Sequence, residues 1–256
     1  MNGWRFFFGV VLSTAFFCSV KAQQIPSDTV SITVDDRYVL VGELFTLSPE
    51  EGPAILAVHA YGGSRNDWRP LLPSLAKAGM TRVLAIDMRG HGDSIIRNSA
   101  DSTIIDSVHL SEFGLEDYLD MVNDVVIAFG YLKASEAAEG VTHGIIGAYD
   151  GSDHAVKAAA QRKDVGFLAL LSPTLIYRGV AINKAIQELP DIPVLIAASS
   201  GDEDYSEAAK WLFEHCSSPR KELQLYDPAD AESTPGAKLG APATIISNWL
   251  RNKVAR

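Results

Sequence analysis

Cysteine is scarce in this chain. Its 256 residues hold Cys18 and Cys216 and no other cysteine. Cys18 lies in a segment that reads as a removable leader, which leaves Cys216 without a partner for an internal disulfide. Stability must then come from the core. Basic residues are outnumbered too: Lys and Arg total 22 against 32 Asp and Glu, a formal net charge of −10. That balance makes nucleic acid and anionic lipid surfaces poor partners. Long apolar runs are missing after the N-terminal stretch, so nothing beyond it spans a bilayer. The six histidines never stand at metal-ligand spacing such as H-x-x-x-H, so neither a metal nor a cofactor is expected. No histidine follows His215.

The N-terminus carries one charge, Arg5, before an apolar run from Phe6 to Val20. Val20-Lys21-Ala22 then sets compact residues at the −3 and −1 positions of a cleavage site. This is the pattern of a secretory signal peptide over residues 1–22, cut after Ala22. An uncleaved anchor is the alternative, but the run is short of the about 20 apolar residues that span a bilayer. A lipid anchor on Cys18 is disfavoured by the bulky Phe17 before it. The expected product is a secreted or periplasmic protein of residues 23–256, its charge lowered from −10 to −12 by loss of Arg5 and Lys21.

Hydrophobic residues make up 47% of the chain and charged ones 21%, an ordinary globular balance for which one α/β domain is expected. Thr29–Val34 and Tyr38–Leu47 alternate as strands around Asp35-Asp36-Arg37. The pattern then shifts to short continuous apolar runs, typical of strands buried on both faces: Ala54–Val58, Arg82–Asp87, the segment ending at Ile145-Ile146, Val165–Leu171, Ile192–Ala198 and Glu222–Tyr226. Helical spacing separates them: Trp68–Ala78, Leu115–Leu132 with a stripe of Leu115, Leu119, Val122, Val126 and Phe129, Ser152–Ala160, Val180–Leu189, Glu207–Cys216 and Ala241–Val254. Alternating strands and helices predict a mostly parallel sheet of about eight strands, covered on both faces and edged by an antiparallel hairpin. No repeat, linker or large cap domain is evident.

Three turns carry more. The third strand is followed by His59-Ala60-Tyr61-Gly62-Gly63, with Asp67-Trp68 opening a helix. The fourth is followed by Asp87-Met88-Arg89-Gly90-His91-Gly92-Asp93-Ser94. The next runs through Gly147-Ala148-Tyr149-Asp150-Gly151 into a helix. These segments resemble the α/β-hydrolase fold superfamily, in particular small bacterial proteins similar to dienelactone hydrolases and esterases.

That resemblance implies a Gly-x-Ser-x-Gly elbow whose serine attacks an acyl carbon, with Asp or Glu and then His following in the chain. Gly147 and Gly151 match the elbow glycines, but its centre is Tyr149. A rigid phenol ring carries its oxygen several ångströms beyond a serine hydroxyl, so Tyr149 is expected to fill or roof the old pocket. The acid position is retained at Asp204, within Gly201-Asp202-Glu203-Asp204. The base position falls at about Ala231, in a loop without histidine. Triad members act as a unit, so these losses remove most of the rate. The implied oxyanion hole uses the backbone N–H groups of Asp150 and Tyr61, where the Asp150 carboxylate would oppose a developing oxyanion.

The remaining candidates have structural readings beside the functional ones. His59 and Gly62 belong to the oxyanion loop, and His59 is expected to brace it. Arg89 and His91 are expected to lock their turn, and Cys216 to pack as a small hydrophobe. His109 sits in Ile95–Gly114, a stretch placed to fold over the site. A register shifted by one residue would centre on Asp150, as in dehalogenase-like members with an aspartate nucleophile, but it too lacks a late histidine. The expectation is thus an inactive hydrolase-like protein that binds a small molecule or a protein partner. The alternative is an active hydrolase of esters or lactones using Asp150.

Overall fold

The consecutive apolar runs form the middle of one eight-stranded sheet. The computed structural model describes residues 25–98, 105–108, 110–135, 140–227 and 240–254. The leader, His109 and Ala231 lie outside the described residues. In chain order the strands are β1 (Ser27–Thr33), β2 (Val39–Thr46), β3 (Ala54–Val58), β4 (Arg82–Ile86), β5 (His143–Ala148), β6 (Phe167–Leu171), β7 (Val194–Ser199) and β8 (Lys221–Tyr226). Their order across the sheet is β1-β2-β4-β3-β5-β6-β7-β8. β1 pairs antiparallel with β2, and β2 with β4; every other pairing is parallel. The leading hairpin therefore edges the parallel sheet as its alternation predicts.

Helices α1 (Leu72–Lys77), α2 (Leu115–Ala134), α3 (Asp150–Gln161), α4 (Glu203–His215) and α5 (Gly240–Lys253) cover the sheet. Successive side chains of a strand point to opposite faces. All five residues of β3 are buried because Ala54, Leu56 and Val58 meet α2 and α3, while Ile55 and Ala57 meet α1 and α5. A strand covered on both faces needs no polar residue, hence the continuous apolar run.

Two sequence expectations need correction. The stripe on α2 is rotated: Leu115 and Leu119 are 54% and 40% exposed, and the buried face holds Tyr118, Met121, Val122, Val125, Phe129 and Leu132. Tyr118 and Met121 carry that face although neither stood out as the aliphatic residues did. The second concerns Val180–Leu189, which is not a helix. Val180–Ala181 pairs antiparallel with Ile176–Tyr177, and Ala185–Glu188 makes a short 3-10 turn. The Arg178-Gly179 pair between those strands has φ of 46° and 85°, and positive φ at both centres is what a two-residue hairpin turn requires. In Ile95–Gly114, Ile96–Asn98 pairs antiparallel with Ile105–Ser107.

Parallel strands deliver their following loops to one edge of the sheet. There the His59–Gly63 loop after β3, the Asp87–Ser94 loop after β4 and the turn between β5 and α3 meet: the His59 ring bonds Met88, and Tyr61 bonds Asp150.

Candidate functional site

The turn between β5 and α3 is strained. Tyr149 has φ 54° and ψ −123°, a region that costs a bulky residue about 1–3 kcal/mol. Its neighbours impose that conformation. The Tyr149 N–H donates to the Leu171 carbonyl at 2.7 Å, and the Ser152 N–H donates to the Tyr149 carbonyl at 2.9 Å. The buried Ser152 hydroxyl donates to the Gly147 carbonyl at 2.8 Å and accepts the Leu171 N–H at 3.0 Å. A Cβ on Gly147 would stand 2.6 Å from the Gly151 carbonyl carbon, and one on Gly151 would stand 2.5 Å from the Val58 carbonyl oxygen. The elbow is thus built on Gly147-Ala148-Tyr149-Asp150-Gly151. The register centred on Asp150 is not adopted, because the strain falls on Tyr149 and Asp150 already begins α3.

This strain predicts an unusual order of stability. Tyr149→Gly and Tyr149→Ala both lose the ring, but only glycine accepts the positive φ freely. Urea unfolding should find the glycine variant more stable than the alanine variant by about 1 kcal/mol. The opposite order would mean that the elbow is relaxed.

One of the two N–H groups assigned to the oxyanion hole already has an anion. The Tyr61 N–H donates to Asp150 Oδ1 at 2.6 Å. Burial pushes the Asp150 carboxyl above its ordinary range, while the Tyr61 N–H, His91 and Arg178 pull it back. His59 performs the bracing role: its Nδ1 faces the Ala60 carbonyl at 2.7 Å and its Nε2 accepts the Met88 N–H at 3.0 Å. Burial, with the nearby His91, lowers its pKa to about 4, so the ring is neutral. His91 stands 4.9 Å from His59 and 5.5 Å from Tyr61, ring centre to ring centre, with its Nδ1 at the Arg89 carbonyl. Gly62 forms the exposed turn of the loop at φ 73°. Arg89 anchors the next loop to α2 through paired bonds of 2.5 and 2.6 Å to the buried Asp124.

Asp153, a buried carboxyl on α3, is expected to make stability depend on pH. Asp153 accepts the Thr174 N–H at 3.1 Å and is bonded to the Thr174 hydroxyl. Burial, with Asp150 nearby, raises its pKa to about 8. An unfolded aspartate titrates near ~3.9, so between those values the folded state holds the extra proton and loses stability as pH rises. Asp153→Asn keeps both bonds without the ionisation. It should remove about 2–3 kcal/mol of the decline between pH 5.5 and 8 in urea unfolding. An unchanged pH profile would refute the buried proton.

Asp204 lies on the exposed first turn of α4 and lines a groove of about 710 Å³, while the neighbouring Asp202 caps that helix through the Tyr205 N–H. A second cavity, of about 420 Å³, opens on the elbow itself. His59, Tyr61 and Tyr149 line it, joined by Trp68, Tyr177 and Tyr205. The tyrosines at 177 and 205 were not candidates on sequence grounds. Arg178-Gly179 was the available signal for the first, since a two-residue turn there lifts Tyr177 onto a hairpin; Tyr205 offers none beyond its place after Asp204.

The comparisons agree with this geometry. A sequence profile described as "alpha/beta hydrolase fold" matches residues 53–134. Bifunctional epoxide hydrolase 2 of Rattus norvegicus is 56% identical over 43 residues, which cover 17% of this chain and 8% of that protein. Protein phosphatase methylesterase 1 of Bos taurus is 37% identical over 54 residues, covering 21% of this chain and 14% of that protein. The chain thus matches only a small part of these relatives' length. Among solved structures, a dienelactone hydrolase from Anabaena variabilis superposes with a TM-score of 0.70 at 21% identity, covering 91% of this chain and 100% of that one. An esterase from Pyrococcus furiosus gives 0.67 at 17%, covering 90% and 92%. Strand order, strained elbow, sequence profile and superpositions agree that this chain adopts an α/β-hydrolase fold.

Proposed function

We propose that this is an exported α/β-hydrolase-fold protein that binds a small ligand at the elbow cavity and does not hydrolyse it. The observation that carries the reading is the Asp150 carboxylate on the Tyr61 N–H at 2.6 Å. An acyl oxygen approaching the elbow would have to displace a carboxylate from a donor meant to stabilise it. Tyr149 at the nucleophile position and the lack of any histidine after His215 support the same reading. Export rests on the signal-peptide pattern of residues 1–22, and no described helix is long and apolar enough to cross a membrane.

The test is turnover of short-chain p-nitrophenyl esters by the purified protein without its leader. The expected rate equals that of a heat-killed control. Turnover above the control, abolished by Asp150→Asn, would overturn the proposal and establish the alternative of an Asp150-dependent hydrolase of esters or lactones.

A further inference from the structure

We infer that the elbow cavity takes an organic cation of the alkylammonium type, held against its tyrosine rings. The inference rests on the preceding reading of this cavity as a ligand site. Its walls include Tyr61, Tyr149, Tyr177 and Tyr205 and, among the described residues, no lysine or arginine. The rings are tilted rather than stacked flat: Tyr149 and Tyr205 lie 5.1 Å apart at 78°, and Tyr61 and Tyr177 6.1 Å apart at 57°. Four phenol rings around one cavity supply electron-rich, polarisable walls, the surface that a cation–π contact uses. The volume of about 420 Å³ suits a small headgroup with a short body.

The surrounding charge is acidic on balance, with Arg178 and Lys210 the cations beside it. Asp67 stands in the cavity wall. Tyr205 also lines the adjoining groove, where Asp202, Asp204, Glu207 and Glu214 outnumber Lys210, and Lys210 is held 2.6 Å from Glu207. Uncharged His59 adds no positive field. An anionic headgroup, by contrast, finds the Tyr61 N–H already committed to Asp150.

The chain itself shows what these rings attract. The exposed Arg178 guanidinium lies 4.4 Å from the Tyr61 ring centre and 5.5 Å from that of Tyr177. Arg178 is not among the residues lining the cavity.

The experiment is isothermal titration of the leaderless protein with choline and with 3,3-dimethylbutan-1-ol, the neutral molecule of the same shape. The expected result is choline binding at least about fivefold tighter, as a desolvated cation–π contact allows. That preference should collapse in Tyr205→Leu and in Tyr177→Leu. The second variant sits on the partly exposed hairpin, where folding is not at stake. Equal binding of the two probes would overturn the cation inference and leave the ligand site standing. No choline binding by folded protein would also overturn it. Ester turnover by the same preparation would instead sink the non-hydrolytic reading, whatever choline does.

Discussion

Placing serine and histidine at the proposed nucleophile and base positions, by Tyr149→Ser with Ala231→His, should leave ester turnover near background; adding Asp150→Ala should raise it about 100-fold or more. The double variant has a nucleophile and a base but still directs the Tyr61 N–H at the Asp150 carboxylate. Serine attack makes an oxyanion, and a single preorganised donor to such an oxygen is worth about 10²–10³ in rate. Here the Tyr61 donor is engaged by a side chain that also puts negative charge where the oxyanion would form. Alanine at 150 keeps the backbone N–H and the start of α3 while removing the anion. The sequence places the base only approximately, so Asp230→His and Glu232→His should be run beside Ala231→His. The decisive quantity is the ratio between each variant and its Asp150→Ala counterpart. If an active double variant gains nothing from Asp150→Ala, the carboxylate does not block the hole.

The sequence disclosed the possibility of that blockade but not its geometry. Glycines at 147 and 151 around Tyr149 marked the elbow, because close backbone approach leaves a local signature in residue type. The direction of the Asp150 carboxylate depends on Tyr61, 89 residues earlier, and no local pattern encodes such a contact. The strands after β2 were legible because burial on both faces demands uninterrupted apolar runs. The face of α2 is obscured for the converse reason. Its aliphatic residues suggest one buried stripe, whereas Leu115 packs at the edge against Gly179 and Tyr118 turns inward. The hairpin carrying Tyr177 is hidden in the sequence because the apolar residues Val180, Ile182, Ile186 and Leu189 mimic a helical stripe. They are buried without one, through two strand residues and a short 3-10 turn. A reading that gave Arg178-Gly179 its weight as a turn would have ended the preceding strand at Tyr177 and placed one more ring by the cavity.

Gly151→Ala should be among the most damaging substitutions in the chain, costing about 4 kcal/mol or more in urea unfolding, while Gly62→Ala should cost about 1–2 kcal/mol. The two glycines serve different ends. Gly62 has φ 73° and open space where a Cβ would go, so alanine there meets only backbone strain. Gly151 does not have a positive φ, yet its Cβ would stand 2.5 Å from the Val58 carbonyl oxygen and 3.0 Å from the His59 carbonyl carbon. Those atoms end a central strand that is paired on both sides, with β4 and with β5, and cannot move without distorting the sheet. Equal costs for the two variants would mean that α3 does not approach β3 so closely. The expected inequality explains why a chain with tyrosine at the elbow centre still carries the elbow. Its second glycine seats α3 against the end of β3, and that packing is needed to fold whether or not any acyl group is attacked. Retention of the glycine frame is therefore no sign of hydrolysis, and Tyr149 and Asp150, the side chains it presents, are where the function has to be read.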